Sequence, residues 1–416
     1  MAPQITPFIS IPQIRLGIGW AIFFASYLVF ALGRFPRTKI NRPTMAIIGA
    51  TLMFGFRLLG PEQAVRSIDF ATIVLLFAMM LIVAGLHSAG FFEWITEHVV
   101  EHLAPAHLLP GVIFTSGILS AFLINDVVCL FMAPLILNVC RRVAKPANPY
   151  LLALAVGSNI GSTATITGNP QNILIGAVSG ISYREFLKGL APVALIGLFI
   201  AWGALHWLYP DHGAPGEIAD NGASRRIPTG GLLFPLGVLI GVLAGFVAGF
   251  SPALVAALGA VLLLARRSQP PEEIYREVDW SLLILFVGLF LIMGGAETSG
   301  ITGQMLHAAE HLNLRNPWIL SGVIVVVSNL VSNVPAVMLL KGLTHQIPNV
   351  RQFWLLLAMA STLAGNLTIT GSIANIIVVE KAKPAIHIGY REYLRVGVPI
   401  TLATVAVGIL WIQFAG

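Results

Sequence analysis

Residues able to hold ions stand in this chain where a plain lipid-facing helix has no use for them. The stretch Ser158 to Gly176, SNIGSTATITGNPQNILIG, lies inside a long apolar run, and Ser361 to Val378, STLAGNLTITGSIANIIV, repeats its pattern. Laid from Ser158 onto Ser361, Thr165 falls on Thr368, Thr167 on Thr370, Gly168 on Gly371 and Asn172 on Asn375. Non-helical backbone at membrane depth survives only where protein buries it or it lines a wet cavity. Two interrupted segments at matching places in two halves point to the binding site of a carrier. Asp126 is the acid set deepest in an apolar block, since Glu297 stands near the end of its own. An intramembrane acid marks an ion path or a proton relay; the blander reading is a cap on the helix that follows, a task Asn125 could do without charge.

The breaks carry further chemistry. Asn169-Pro170 has the signature of a helix starting afresh, Ser372 occupies the equivalent place, and Asn333 followed by Pro335 reads the same way. With Asn125-Asp126, four half-helix N-termini are expected near the midplane, an arrangement suited to an anion. The carbonyl ends around Gly157 to Gly161 and Ala360 to Gly365 suit a cation. The competing reading, that Gly, Ser and Thr only let helices pack closely, explains single residues but not the duplicated pattern.

The elements that must position these residues are apolar helices. Of 416 residues 56% are hydrophobic and only 10% charged, against roughly 25% charged in soluble domains. Hydropathy places spans near 17–33, 45–59, 70–89, 150–177 and 189–209, then near 232–247, 253–266, 280–298, 352–380 and 392–413. Apolar blocks at 109–140 and 315–342 are broken halfway by Asn125-Asp126 and by Ser332-Asn333-Val334-Pro335, and read as re-entrant hairpins. Further pairs match across the halves: Asp69 with Asp279, Ser88-Ala89-Gly90 with Thr298-Ser299-Gly300, Asn125 with Asn333, and Tyr183-Arg184-Glu185 with Tyr390-Arg391-Glu392. The expected fold is an all-α polytopic membrane protein of two inverted-topology repeats. Each has about five spans, a re-entrant hairpin and a broken helix, and the odd count inverts the second. The division is an N-terminal segment at 1–16, a first repeat at 17–209, a linker at 210–231 and a second repeat at 232–416. With both termini extracytoplasmic in a plasma (inner) membrane, most Lys and Arg fall on the cytoplasmic side, as the positive-inside rule asks.

Several classes fall away. No clustered basic face supports nucleic-acid binding. Cys129 and Cys140 share one apolar segment, too far apart on a helix to bridge. The glycine-rich stretch lacks the Gly-Lys-Ser/Thr of a phosphate loop, and residues 1–16 lack the apolar core of a cleavable signal. His307-Ala-Ala-Glu310-His311 spells a zinc-peptidase pattern, but its counterpart Glu97 to Glu101 lies in FFEWITEHVVEHL, an amphipathic connector, so neither a metal centre nor an enzyme is expected.

Paired hairpins with Asn at their tips, Thr-Gly-Asn-Pro and Thr-Gly-Ser breaks and an inverted repeat resemble the ion transporter superfamily over nearly the whole chain. That group holds divalent anion:sodium symporters, arsenite permeases and NhaD-type sodium–proton antiporters. The Asn-Asp tip, GNPQN and SNLVSNVP look most like the arsenite-permease and anion-permease branch. The dicarboxylate branch carries Ser-Asn-Thr at both tips, whereas here they read Ile124-Asn125-Asp126 and Ser332-Asn333-Val334. The resemblance implies a homodimer in lipid, with a rigid scaffold and a mobile domain of hairpins and broken helices moving elevator-fashion. It implies that Asn125, Asp126, Gly161, Ser162 and Thr163 line one ion site and Asn333, Gly365, Asn366 and Leu367 its counterpart. Thr167, Asn169, Pro170, Thr370, Gly371 and Ser372 would then lie near the substrate. The expected function is secondary active transport of a small anion coupled to H⁺ or Na⁺, with Na⁺ at Asn125 and Asp126 as the sole cofactor-like ion. Arsenite/antimonite efflux and sodium–proton antiport are the alternatives.

Overall fold

The computed structural model describes residues 11–35, 37–102, 107–210, 231–266, 271–309, 311–383 and 386–415. Most of the expected linker, the start of the N-terminal segment and Glu310 of the zinc-like pattern lie outside them. Every described element is helical, and the two halves match helix for helix. The first half runs α1 (Ile11–Leu32), α2 (Arg42–Gly55), α3 (Pro61–Ser67), α4 (Phe70–Ser88), α5 (Phe91–His102), α6 (Leu108–Phe122), α7 (Asn125–Arg142), α8 (Asn148–Ser162), α9 (Pro170–Val178) and α10 (Tyr183–Leu208). The second repeats that order as α11 (Leu233–Ala248), α12 (Pro252–Arg266), α13 (Pro271–Glu277), α14 (Trp280–Thr298), α15 (Ile301–Ala309), α16 (Pro317–Val331), α17 (Asn333–Leu340), α18 (Val350–Ala364), α19 (Ile373–Ala382) and α20 (Tyr390–Ala415).

Local chemistry sets the same boundaries twice. Asp69 accepts from the Thr72 N–H at 2.7 Å and Asp279 from the Leu282 N–H at 3.0 Å, so α4 and α14 start on matched N-caps. Both end at a glycine in the left-handed region, Gly90 at φ +81° and Gly300 at φ +83°, where a side chain would be strained. The second hairpin is the shorter: α17 has 8 residues and passes into a 3₁₀ segment, Lys341–Gln346, where α7 runs for 18.

Polarity is distributed as lipid requires. Large apolar side chains such as Phe24, Leu28, Leu233, Ile240, Leu254 and Val261 are exposed, while Asn125, Ser158, Asn159, Ser162, Thr167, Asn366 and Asn375 are fully buried. Helices α1, α4, α10, α14 and α20 are long and apolar enough to cross a bilayer. Packing sorts the helices into two groups: α2 lies on α14 and α12 on α4, whereas α6 lies on α8, α16 on α18 and α10 on α20.

Candidate functional site

Both broken helices are interrupted by one device. After α8 and α18 the chain makes a 3₁₀ turn, Ile166–Gly168 in one half and Ile369–Gly371 in the other, then restarts as α9 and α19. The residues before the turns, Thr165 and Thr368, are extended at φ −136° and −137°. A carboxamide inside each new helix clamps the freed carbonyls. Asn172 Nδ2 donates to the Ser162 and Thr165 carbonyls at 3.0 and 3.2 Å, and Asn375 Nδ2 to those of Gly365 and Thr368 at 2.6 and 3.0 Å. Backbone groups that a continuous helix would pair internally are thus held in fixed positions away from lipid.

A buried polar hub joins the halves. Asn159 Nδ2 donates to Asn366 Oδ1 and to Asn375 Oδ1, each at 2.9 Å. Asn159 Oδ1 accepts from Asn125 Nδ2 at 2.9 Å and from the Ser372 hydroxyl at 3.0 Å. One side chain therefore ties the first hairpin tip to both broken helices. The residue aligned with Asn159 is Thr362, whose hydroxyl donates to Asn172 Oδ1 at 3.2 Å and accepts from Gln171 Nε2 at 3.1 Å. The connection is pseudo-symmetric in position but not in chemistry.

The hairpin tips meet the breaks of the opposite half: α7 packs on α19, and α17 on α9. Asp126 is not an N-cap, because α7 begins at Asn125 with Ile124 in the cap position and no side-chain cap. Its carboxyl instead lies near the backbone N–H of Ala374, in the first turn of α19. A carboxylate gains there from the unpaired N–H groups and the positive end of the helix dipole. At the second tip Val334 stands where Asp126 would be, and Gln171 where Ala374 is. Ser332 there has φ +76° and ψ +156°, a conformation close to glycine-only that stores about 1–3 kcal/mol of strain. At both tips the Asn carbonyl oxygen, Oδ1 of Asn125 and of Asn333, is buried with no hydrogen-bond partner among the described residues. Buried polar atoms are normally satisfied, and these two open acceptors stand at matching positions of the two halves.

The remaining expected site residues divide. Ser162 and Thr163 are buried, and both hydroxyls donate to the Asn159 carbonyl, at 2.9 and 3.2 Å. Asn366 belongs to the hub. Leu367 is only half-buried, its N–H donating to the Ala364 carbonyl at 3.0 Å. Gly161 serves close packing, since a Cβ there would sit 2.0 Å from the Gly117 carbonyl oxygen on α6. Gly365 and Gly371 are buried at the second break. Pro170 opens α9 as expected, and Asn169 and Ser372 hold the N-cap positions, but neither side chain makes the capping hydrogen bond. Asn169 Nδ2 donates to the Ser162 hydroxyl at 3.3 Å, and Ser372 turns to Asn159, because side-chain partners within the breaks outcompete the cap. Thr167 and Thr370 are not equivalent. Thr167 is fully buried and within 3.2 Å of the Tyr183 hydroxyl, whereas Thr370 is exposed beside Thr368 at 3.3 Å.

Sequence reading missed Asn159, Thr362, Gln171, Tyr183 and Asn329. Asn329 Nδ2 donates to the Ala364 carbonyl at 2.9 Å, and its Oδ1 accepts from the Thr368 hydroxyl at 3.2 Å. Asn159 was hidden by its mismatch with Thr362, although an Asn deep inside an apolar helix was a signal in itself. A cavity of about 650 Å³ opens between α14, α15 and the end of α17, with Val178 of α9, Val323 of α16 and Trp354 of α18 also in its lining.

The family described as Citrate transporter (CitMHS) matches residues 27–364. A 46 kDa membrane protein of Mycobacterium leprae is 30% identical over 427 residues, aligning 95% of this chain with 98% of the relative. The silicon efflux transporter LSI3 of Oryza sativa subsp. japonica is 29% identical over 480 residues, aligning 96% of this chain with 98% of its own. Among solved structures, the YdaH transporter of Alcanivorax borkumensis superposes with a TM-score of 0.58 at 13% identity, over 97% of this chain and 98% of that one, and so shares its fold. By these matches the chain belongs to the citrate transporter (CitMHS) family of membrane transporters.

Proposed function

We propose that this protein is a secondary active transporter of a small anion, with a carboxylate such as citrate as its leading substrate, coupled to H⁺ or Na⁺ through Asp126. The observation that carries this is the chemical difference between two otherwise matched helix starts. The start of α19 already faces the Asp126 carboxyl, while that of α9 faces the neutral tip of Val334. One end therefore suits a cation or proton, held by Asp126 and Asn125 Oδ1. The other suits an anion, held by the positive end of the α9 dipole and the Gln171 N–H, since Pro170 has no N–H and those of Asn172 and Ile173 donate to the Asn169 carbonyl. The cation then neutralises Asp126 itself, which lowers the cost of carrying that carboxylate through lipid. The hairpins and broken helices move as one body against the α1–α4 and α11–α14 scaffold of a homodimer in the inner membrane.

A second reading, export of an uncharged metalloid acid such as arsenite, draws on the rice relative named as a silicon efflux transporter. It fits the single acid but gives the free start of α9 no task. A thermal-shift screen of purified protein decides between them, because a ligand that binds the native state raises its apparent stability. Citrate, succinate, phosphate, sulfate, arsenate and arsenite are each tested with and without Na⁺ and at two pH values. Stabilisation by a carboxylate that depends on Na⁺ or on pH supports the proposal; stabilisation by arsenite alone overturns it in favour of the second reading.

A further inference from the structure

The cavity between α14, α15 and the end of α17 holds none of the residues named at the tips and breaks, and comparison of the two halves shows how it arises. In the first half the same place is filled by aromatic rings. His87 stacks on Phe131 with centroids 3.7 Å apart, and Phe92 lies 5.1 Å from Phe131. His87 also bonds Glu277 through Nδ1 at 3.1 Å. At the offset that pairs Asp69 with Asp279, His87 aligns with Glu297 and Phe92 with Thr302. At the offset that pairs Asn125 with Asn333, Phe131 aligns with Leu339. Glu297, Thr302 and Leu339 all line the cavity. Three ring side chains have become one carboxylate, one hydroxyl and one aliphatic group, and about 650 Å³ is open as a result. That volume falls in the range of ligand pockets, roughly 300–1,000 Å³.

Its shape and polarity run in one direction. Phe290, Met293, Gly294 and Glu297 line it from one face of α14, at the spacing of a single helical stripe. The stripe covers about 10 Å of helix axis, from the interior of a membrane span to its polar end near Thr298. Much of the lining is apolar and adaptable, including Met293, Met305 and Met338. The charges gather at the other end: Glu297, Lys341 and Arg66, the last also held by Glu62 at 2.6 Å. Lys341 sits in the field of Glu297 and Asp69.

We propose that this cavity binds one acyl chain of a zwitterionic phospholipid of the ethanolamine type, with the headgroup phosphate at Lys341 and the ammonium at Glu297. An apolar slot that ends in one cation and one carboxylate at the membrane boundary matches a chain ending in a phosphate and an amine. A purely anionic head would meet Glu297 with like charge, and a neutral one would leave both charges unused. The site stands independently of what the protein transports.

The test is photo-crosslinking of the purified, detergent-solubilised protein with lysophosphatidylethanolamine carrying a diazirine near the chain end. Labelled positions are read by peptide mass spectrometry. The expected result is labelling concentrated on the peptides that hold Met293, Met305 and Met338. It should fall at least fivefold in Thr302→Phe/Leu339→Phe, which restores ring volume copied from the other half. Glu297→Gln leaves the volume nearly unchanged, and it should reduce labelling by the ethanolamine probe several-fold while raising that by a lysophosphatidylglycerol probe, whose repulsion it removes. This second variant keeps the proposal open to refutation should the filled one not fold. Labelling undiminished in a folded double-Phe variant, or equal labelling by the two probes with no effect of Glu297→Gln, overturns the proposal.

Discussion

Asn159 is where the two halves stop being equivalent. Its amide reaches Asn366 and Asn375, its carbonyl oxygen takes Asn125 and Ser372, and it is fully buried. Truncation to alanine strands four buried partners, each worth about 1–3 kcal/mol when left unpaired, less whatever relaxation recovers. Asn159→Ala is therefore expected to lower stability by at least ~2 kcal/mol, seen as a clear fall in the melting temperature of the detergent-solubilised protein. An unchanged melting curve removes Asn159 from the centre of the site. Asp126 makes the opposite case. Asparagine keeps its shape and can still accept from the Ala374 N–H, so Asp126→Asn should fold while its transport loses dependence on pH or on Na⁺. Retained dependence in that variant eliminates the coupling role. Asp126 was legible from sequence because a charge in an apolar block is conspicuous, but which group it meets was not. That partner lies on a helix nearly the whole chain away, and no local pattern records it.

The broken helices act as units because each carries its own clamp. Asn172 and Asn375 hold the carbonyls on both sides of the 3₁₀ turn, so the interruption is fixed rather than frayed. What presses α8 against α6 is the absence of side chain at Gly161, opposite the Gly117 backbone. A methyl group there meets backbone, which cannot rotate aside. Gly161→Ala is expected to cost about 1–3 kcal/mol or more and to reduce the yield of monodisperse protein in size-exclusion chromatography, while Gly203→Ala, with open space around it, does not. Breaks, hairpins and N-caps were readable at this scale because Pro, Gly, Asn and Asp interrupt an otherwise apolar text. Asn169 and Ser372 stand at the helix starts the sequence marked, but their side chains bond elsewhere, since a cap position in sequence does not reveal a partner in space.

At the scale of the whole molecule, a helix-for-helix repeat brings two hairpin tips to two breaks, each tip serving the opposite half. Self-comparison of the sequence revealed the repeat because matched caps, glycines and tips recur at near-constant offsets. It showed the acid at one tip only, but could not reveal the buried Thr167 against the exposed Thr370 or the open cavity against the filled one. On the proposed function the lone acid is what lets two otherwise matched sites treat a cation and an anion differently. The central claim is that both tips serve one gradient-driven carrier, and uptake of radiolabelled citrate into proteoliposomes tests it most directly. Imposed H⁺ and Na⁺ gradients are compared in the wild type, Asn125→Ala and Asn333→Ala. The account predicts concentrative uptake that collapses with one of the gradients and falls more than tenfold in either folded variant; uptake indifferent to both gradients, or undiminished in both variants, contradicts it.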